Sequence, residues 1–189
     1  MNIWQLRSKI GFVSQDLQED YTPYIRALDV VISGFFGAIG SHGYLQATPA
    51  QIALAQEQMA AIGLIGIDES MFQRLSTGQK RQLLLARALV HKPQALFLDE
   101  PAKGLDMGCG LALLTLLRSY CSSHRAMIIT THHIDEIIPE IERVMLLDQG
   151  KIVADGPKAE ILTSENLSAL YQTPLRVTEQ DGWYRCRHR

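Results

Sequence analysis

Residues 75–106 read LSTGQKRQLLLARALVHKPQALFLDEPAKGLD, and this stretch decides the fold. Ser76 is followed three residues later by Gln79, the spacing of a capping box, and then by a helix-forming run. A helix opened there presents free backbone N–H groups and its positive dipole end, which suits an anion such as a phosphate. The helix must end by Lys92, because Pro93 disfavours helical geometry in the residue before it. Ala95 to Leu98 is a short, continuously apolar run, which predicts a strand buried on both faces of an α/β sheet. It runs into Asp99 and Glu100, then Pro101.

Carboxylates at the carboxyl end of a buried strand stand where open α/β sheets place ligand chemistry. Successive strand residues point opposite ways, so the two acids can divide their labour. One can hold Mg²⁺, directly or through water, while the other polarises an attacking water. An isolated apolar run ending in Asp-Glu is more often an ordinary strand end with two solvated acids. Here Gln79 precedes Asp99 by 20 residues and GLD follows at 104–106, and the bland reading loses its force.

Composition sets the outer bounds. A chain of 189 residues with 47% hydrophobic and 20% charged residues is globular, with ample material for a core. A net charge of −2 argues against a dedicated nucleic-acid binder, so no nucleic acid is expected as a partner. Cys109, Cys121 and Cys186 are odd in number, far apart and without metal-ligand spacing, which points to reduced thiols. The most apolar stretch, Val30 to Gly40, falls far short of the roughly 20 residues a membrane helix needs. Any membrane connection is therefore expected to run through a partner protein.

Along the chain, Lys9 to Ser14 reads as a strand followed by Gln15. Ala27 to Phe36 reads as a helix and turn, and Ser41 to Tyr44 as a loop. Thr48 opens a helix with Pro49 at its first position, Gln51 completing a capping box and Gly63 as a stop. Leu111 to Tyr120 is amphipathic, and Ala126 to Ile129 is a second buried strand followed by Thr130, Thr131 and His132. Arg143 to Leu147 and Ile152 to Ala154 form a hairpin about Asp148–Gln149–Gly150. Short helices are expected over 158–162 and 165–171, then a hairpin turning at Asp181–Gly182.

Three motifs in this order resemble one family. LSTGQ is similar to the signature loop of ATP-binding-cassette (ABC) transporter ATPases, ALFLDE to their Walker B strand, and PAKGLD to their D-loop. The resemblance implies an α/β P-loop NTPase (RecA-like) fold, a parallel sheet flanked by helices with an inserted helical subdomain. On that pattern residues 16–74 are the helical subdomain, 1–15 and 75–171 the ATPase core, and 172–189 a terminal hairpin. It implies ATP and Mg²⁺ as cofactors, with Asp99 and Gln15 at the metal, Glu100 as general base and His132 as the γ-phosphate switch. Ser76, Thr77, Gly78 and Gln79 would contact a nucleotide held by a second cassette, and Asp106 of the D-loop would join the same interface. The implied partners are a second ABC ATPase subunit and a transmembrane permease, with the chain peripheral at the cytoplasmic face of the membrane. The segments SGFFGAIG and LSTGQ look most like the molybdate-type and iron-chelate import ATPases.

The sequence departs from the family in one large respect. No GxxxxGK[ST] phosphate loop (Walker A) occurs in it, and Gly37 to Gly43 is glycine-rich without the Lys-Ser or Lys-Thr. The expectation is an amino-terminally truncated cassette that binds ATP poorly by itself, with an opened sheet that exposes apolar surface. The alternative expectation is a non-catalytic module or remnant that pairs with an intact cassette. Thr77 and Lys103 stand where the family usually has Gly and Ser.

Overall fold

The computed structural model describes residues 9–40, 46–121 and 125–189, and divides into two compact units, one ending at Thr131 and the other running from His132 to Arg189. The loop expected at 41–44 lies outside the described residues. The division falls inside the segment expected as a continuous core at 75–171, and the expected helical subdomain belongs to the same unit as the sheet.

In the first unit, β1 (Ile10–Val13), β2 (Ala95–Asp99) and β3 (Ala126–Thr130) form a parallel sheet in the order β1-β2-β3. Short apolar strands separated by long helical connections give this arrangement, because parallel neighbours need a crossover between them. Leu96 and Leu98 of β2 are buried, together with Gly11 and Val13 beside them. The opposite face is not covered to the same degree: Phe12 is 46% and Ile128 50% exposed, with half-buried Phe97 in register between them. The expectation that β2 is buried on both faces is therefore corrected. The apolar run reflects a strand buried on one face and half-covered on the other.

Helix α1 (Gln15–Glu19) follows β1 at once, with the Ser14 hydroxyl accepting from Leu17 N. Helix α2 (Ala27–Ile32) runs into a 3₁₀ turn at Ser33–Phe36, and α3 (Pro49–Ala61) opens with both bonds of the Thr48–Gln51 capping box. Helix α4 (Thr77–Leu89) packs against β1, α2 and α3, so nearly all of its second half is buried. Two glycines permit this closeness. A β-carbon on Gly11 would meet Ala88 O at 2.6 Å, and one on Gly34 would meet Arg87 O at 2.3 Å. Helix α5 (Met107–Cys121) buries Leu113, Leu117 and Tyr120, and the Tyr120 hydroxyl donates to Pro93 O at 3.1 Å.

The second unit is built from two hairpins and two short helices. Strands β4 (Arg143–Asp148) and β5 (Lys151–Pro157) turn through Gln149 and Gly150. Helices α6 (Lys158–Ile161) and α7 (Ser164–Tyr171) precede β6 (Leu175–Gln180) and β7 (Trp183–His188), which turn through Asp181 and Gly182. Both turn residues of each hairpin have positive φ, the geometry that matches strand twist and favours Asp-Gly. Leu146, Ile161 and Leu167 form the core. The buried Lys158 ammonium donates to Ile138 O, Pro139 O and Gly182 O, which fixes the start of α6 against the last turn.

Candidate functional site

Because the three strands are parallel, their carboxyl ends share one edge of the sheet. That edge gathers Ser14 and Gln15 after β1, Asp99 and Glu100 at the end of β2, and Thr130 at the end of β3. Asp99 is exposed, and its carboxylate accepts a hydrogen bond from the Thr130 hydroxyl. Glu100 leaves the strand in the left-handed region, with φ of 47°, which few non-glycine residues adopt. Its backbone is held on both sides. Glu100 N donates to Thr130 O at 2.9 Å, and Glu100 O accepts from Lys103 N at 3.2 Å and from Arg81 Nη2 at 3.1 Å.

Gln15 is exposed and opens α1, and its amide donates to Glu19 at 3.3 Å. The Ser14 cap and Asp16 in the first turn are sufficient to start that helix. His132 belongs to the second unit, where its ring lies 4.0 Å from that of His133.

At the start of α4 the capping box is complete. Gln79 N donates to Ser76 Oγ at 3.2 Å, and Ser76 N donates to Gln79 Oε1 at 2.9 Å. Ser76 and Thr77 are exposed while Gly78 and Gln79 are half-buried. The D-loop lies beside this helix start. A β-carbon on Gly104 would sit 3.5 Å from the Thr77 methyl, and one on Gly78 would sit 3.7 Å from both Leu105 and the Cys109 sulfur. Asp106 is exposed and accepts from Cys109 N at 2.9 Å, capping α5; these backbone N–H bonds hold its carboxyl below the usual carboxylate range. A cavity of about 350 Å³ lies under the helix, lined by Ile62, Arg81, Gln82, Leu85, Leu105 and Leu113 among others.

Among the described residues no three His, Cys, Asp or Glu side chains cluster as a protein-only metal cage. Mg²⁺ does not require one, since it is held by one or two carboxylates, substrate phosphates and water. An exposed, hydroxyl-anchored Asp99 with Glu100 beside it fits that donor set.

Residues 1–103 match the family model described as ABC transporter. This chain belongs to the ABC transporter ATPase family. It is 35% identical over 181 residues to an uncharacterized ABC transporter ATP-binding protein of Bacillus subtilis, YlmA, covering 92% of this chain and 66% of the relative. The hemin import ATP-binding protein HmuV of Rhodococcus jostii is 30% identical over 128 residues, 68% of this chain and 44% of HmuV. The fold matches a transporter proposed to be of the metal-chelate ABC type, solved in an inward-facing conformation, with a TM-score of 0.77 at 26% identity; 95% of this chain and 70% of that one are covered. A dimeric bacterial ABC transporter cassette matches with a TM-score of 0.67 at 25% identity, over 80% of this chain and 63% of that one. The chain spans about two thirds of the length of the first of these relatives. The expected P-loop NTPase class is thus the fold found, with a parallel sheet and flanking helices. No described helix is long and apolar enough to cross a membrane.

Sequence reading missed Arg81, which reaches the Glu100 carbonyl from inside α4. It stands in a KRQ run that reads as a solvated face, and only the helical phase of the flanking leucines hints that position 81 turns inward.

Proposed function

We propose that the chain is the signature- and Walker B-bearing part of the ATP-binding subunit of an ABC importer, one half of a two-cassette ATPase docked on a membrane permease. The observation that carries this reading is the shared placement of Asp99 and Glu100 on the open carboxyl edge of the sheet, in the unit where Ser76 to Gln79 open α4. The hemin relative and the metal-chelate type neighbour favour a metal-chelate cargo. The dimeric cassette favours a second ATPase subunit as partner, homologous or identical.

Bound Mg²⁺·ATP supplies the γ-phosphoryl group and the charge that the metal offsets. Asp99, and Gln15 from the neighbouring strand end, would hold the metal. Glu100 would accept the proton of the attacking water, and His132 would orient water and γ-phosphate. The N–H groups at Thr77 and Gly78, with the Ser76 hydroxyl and the Gln79 side chain, would meet a nucleotide held by the partner, and Asp106 would help to set that interface. Peripheral attachment at the cytoplasmic face follows from docking on a permease. Residues 16–74 would form the permease-facing helical part, 1–15 and 75–171 the ATPase core, and 172–189 a terminal hairpin.

The 189-residue polypeptide contains no GxxxxGK[ST] segment, so this polypeptide by itself should grip the triphosphate weakly. Titrating it with a fluorescent ATP analogue should show no saturation at micromolar concentration, and saturation there would overturn this part of the reading. Mixed with an intact cassette that carries the loop, it should raise nucleotide affinity, and Ser76→Ala should abolish the gain. If it binds the cassette yet Ser76→Ala changes nothing, the non-catalytic interaction module is the correct description.

A further inference from the structure

Arg81 lies one turn into α4, is 5% exposed, and spends its single hydrogen bond on the Glu100 carbonyl at 3.1 Å through Nη2. Its Nη1 is buried with no hydrogen-bond partner. A guanidinium placed there is costly, because burial removes its hydration and a buried donor goes unmatched. Burial pulls its pKa down, while the nearby charges of Asp99 and Glu100 oppose that shift. A methionine or leucine would fill the space without this cost, as leucines do at 83, 84 and 85.

The guanidinium reaches the peptide of Glu100, a non-glycine residue held in left-handed geometry. The Thr130 carbonyl holds Glu100 from the sheet, Lys103 N holds it from the turn, and Arg81 holds it from the helix. Only the last of these bonds comes from the element whose amino terminus is Ser76. Gln82, the next residue, donates to Ile62 O at the end of α3, so the same turn of α4 is anchored to both neighbours. The cavity of about 350 Å³ beside Arg81 and Gln82 leaves this turn free of tight packing on one side.

We infer that Arg81 is a positioning residue that couples the signature helix to Glu100, so that a shift of α4 on nucleotide contact re-aims the carboxylate. This inference rests on the function proposed above. A small displacement of α4 would draw the Glu100 carbonyl with it and rotate the peptide that carries the base. The unmatched Nη1 is a donor left for a new acceptor in the displaced state.

The test uses the transporter complex that contains this chain, with a phosphate-binding loop in place. Arg81→Met keeps the stem and removes the donors, and Arg81→Lys keeps the charge and one donor. Arg81→Met should lower kcat about tenfold or more while KM for ATP stays within about twofold, and Arg81→Lys should recover part of the loss. Amide exchange at Glu100 and Lys103 should quicken in Arg81→Met. Wild-type kcat in Arg81→Met would overturn the inference, as would a loss that only tracks the folded fraction with Lys no better than Met. If the wild-type complex hydrolyses no ATP, the functional reading fails, and the exchange data decide alone. Unchanged Glu100 exchange in Arg81→Met then sinks the coupling, and quickened exchange sustains it.

Discussion

Gly11 should be the most sensitive small position in the sheet. A β-carbon there would approach Ala88 O to 2.6 Å, where ordinary contact begins near 3.4 Å, and Leu96 Cδ1 to 2.8 Å. The leucine methyl can rotate away. The carbonyl cannot, because it belongs to the backbone of α4, so β1 and the helix must separate by most of an ångström or the strand must tilt. Overpacking of this kind costs about 1–3 kcal/mol, so Gly11→Ala should lower the melting temperature by about 2–12 °C for a chain of this size. Gly110 provides the opposite sign in the same molecule. It lies within α5 with nothing inside 4 Å of an added β-carbon, so Gly110→Ala should stabilise by about 0.5–1 kcal/mol. Thermal melts followed by far-UV circular dichroism measure both. A Gly11→Ala melt within about 1 °C of wild type would refute the close β1–α4 approach, and with it the placement of α4 behind the carboxylate edge.

Two further substitution sets follow from the capping and charge geometry. Ser76→Ala and Thr48→Ala each remove a capping-box hydroxyl and should each cost about 1 kcal/mol in the melt, but only Ser76→Ala should weaken nucleotide capture with a partner cassette. Equal effects on capture would deny the α4 start any special role. In the second unit, Arg143 donates twice to Asp155, each bond at 2.8 Å, and holds that carboxyl below the usual carboxylate range. A depressed folded-state carboxyl stabilises above its unfolded pKa, and that contribution is lost as pH falls through the folded value. Asp155→Asn should therefore lower the neutral-pH melt only slightly, since Arg143 is 71% exposed, and flatten the acid limb below about pH 4 by that same small amount. Trp183 fluorescence in a Trp4→Phe background follows this unit, and an acid limb as steep as wild type would deny the pair.

What the sequence disclosed was what local chemistry specifies. Both capping boxes, the Asp181–Gly182 turn and the strand ending in Asp99–Glu100 each rest on neighbours within a few residues, and each is found in the fold. Helix α5 begins at Met107 rather than near Leu111, because the Asp106 side chain caps it while the glycines at 108 and 110 obscure its periodicity. The helix that Gln15 opens is equally local, with Ser14 as its cap, but its five residues are too few to show a periodicity. The burial of β2 is not legible for a different reason, since an apolar run reports what a strand can bury and not how many layers cover it.

The two buried arginines were illegible for a third reason, and they show what α4 is for. Arg87 donates to Ser33 Oγ at 3.2 Å and to Ala38 O at 2.9 Å, holding the turn after α2, while Arg81 holds the turn after β2. Their partners lie 54, 49 and 19 residues away, and no window of neighbouring residues contains the carbonyls that draw these charges inward. Each guanidinium spans a distance that a short polar side chain could not, and each ends on backbone belonging to a turn rather than to a strand or helix. A helix that only filled space would be leucine at both positions. With an arginine at each end of its inner face, α4 instead fixes the path of two turns at once. Movement imposed at Ser76 must then reach the Glu100 turn unless the Arg81 bond breaks first.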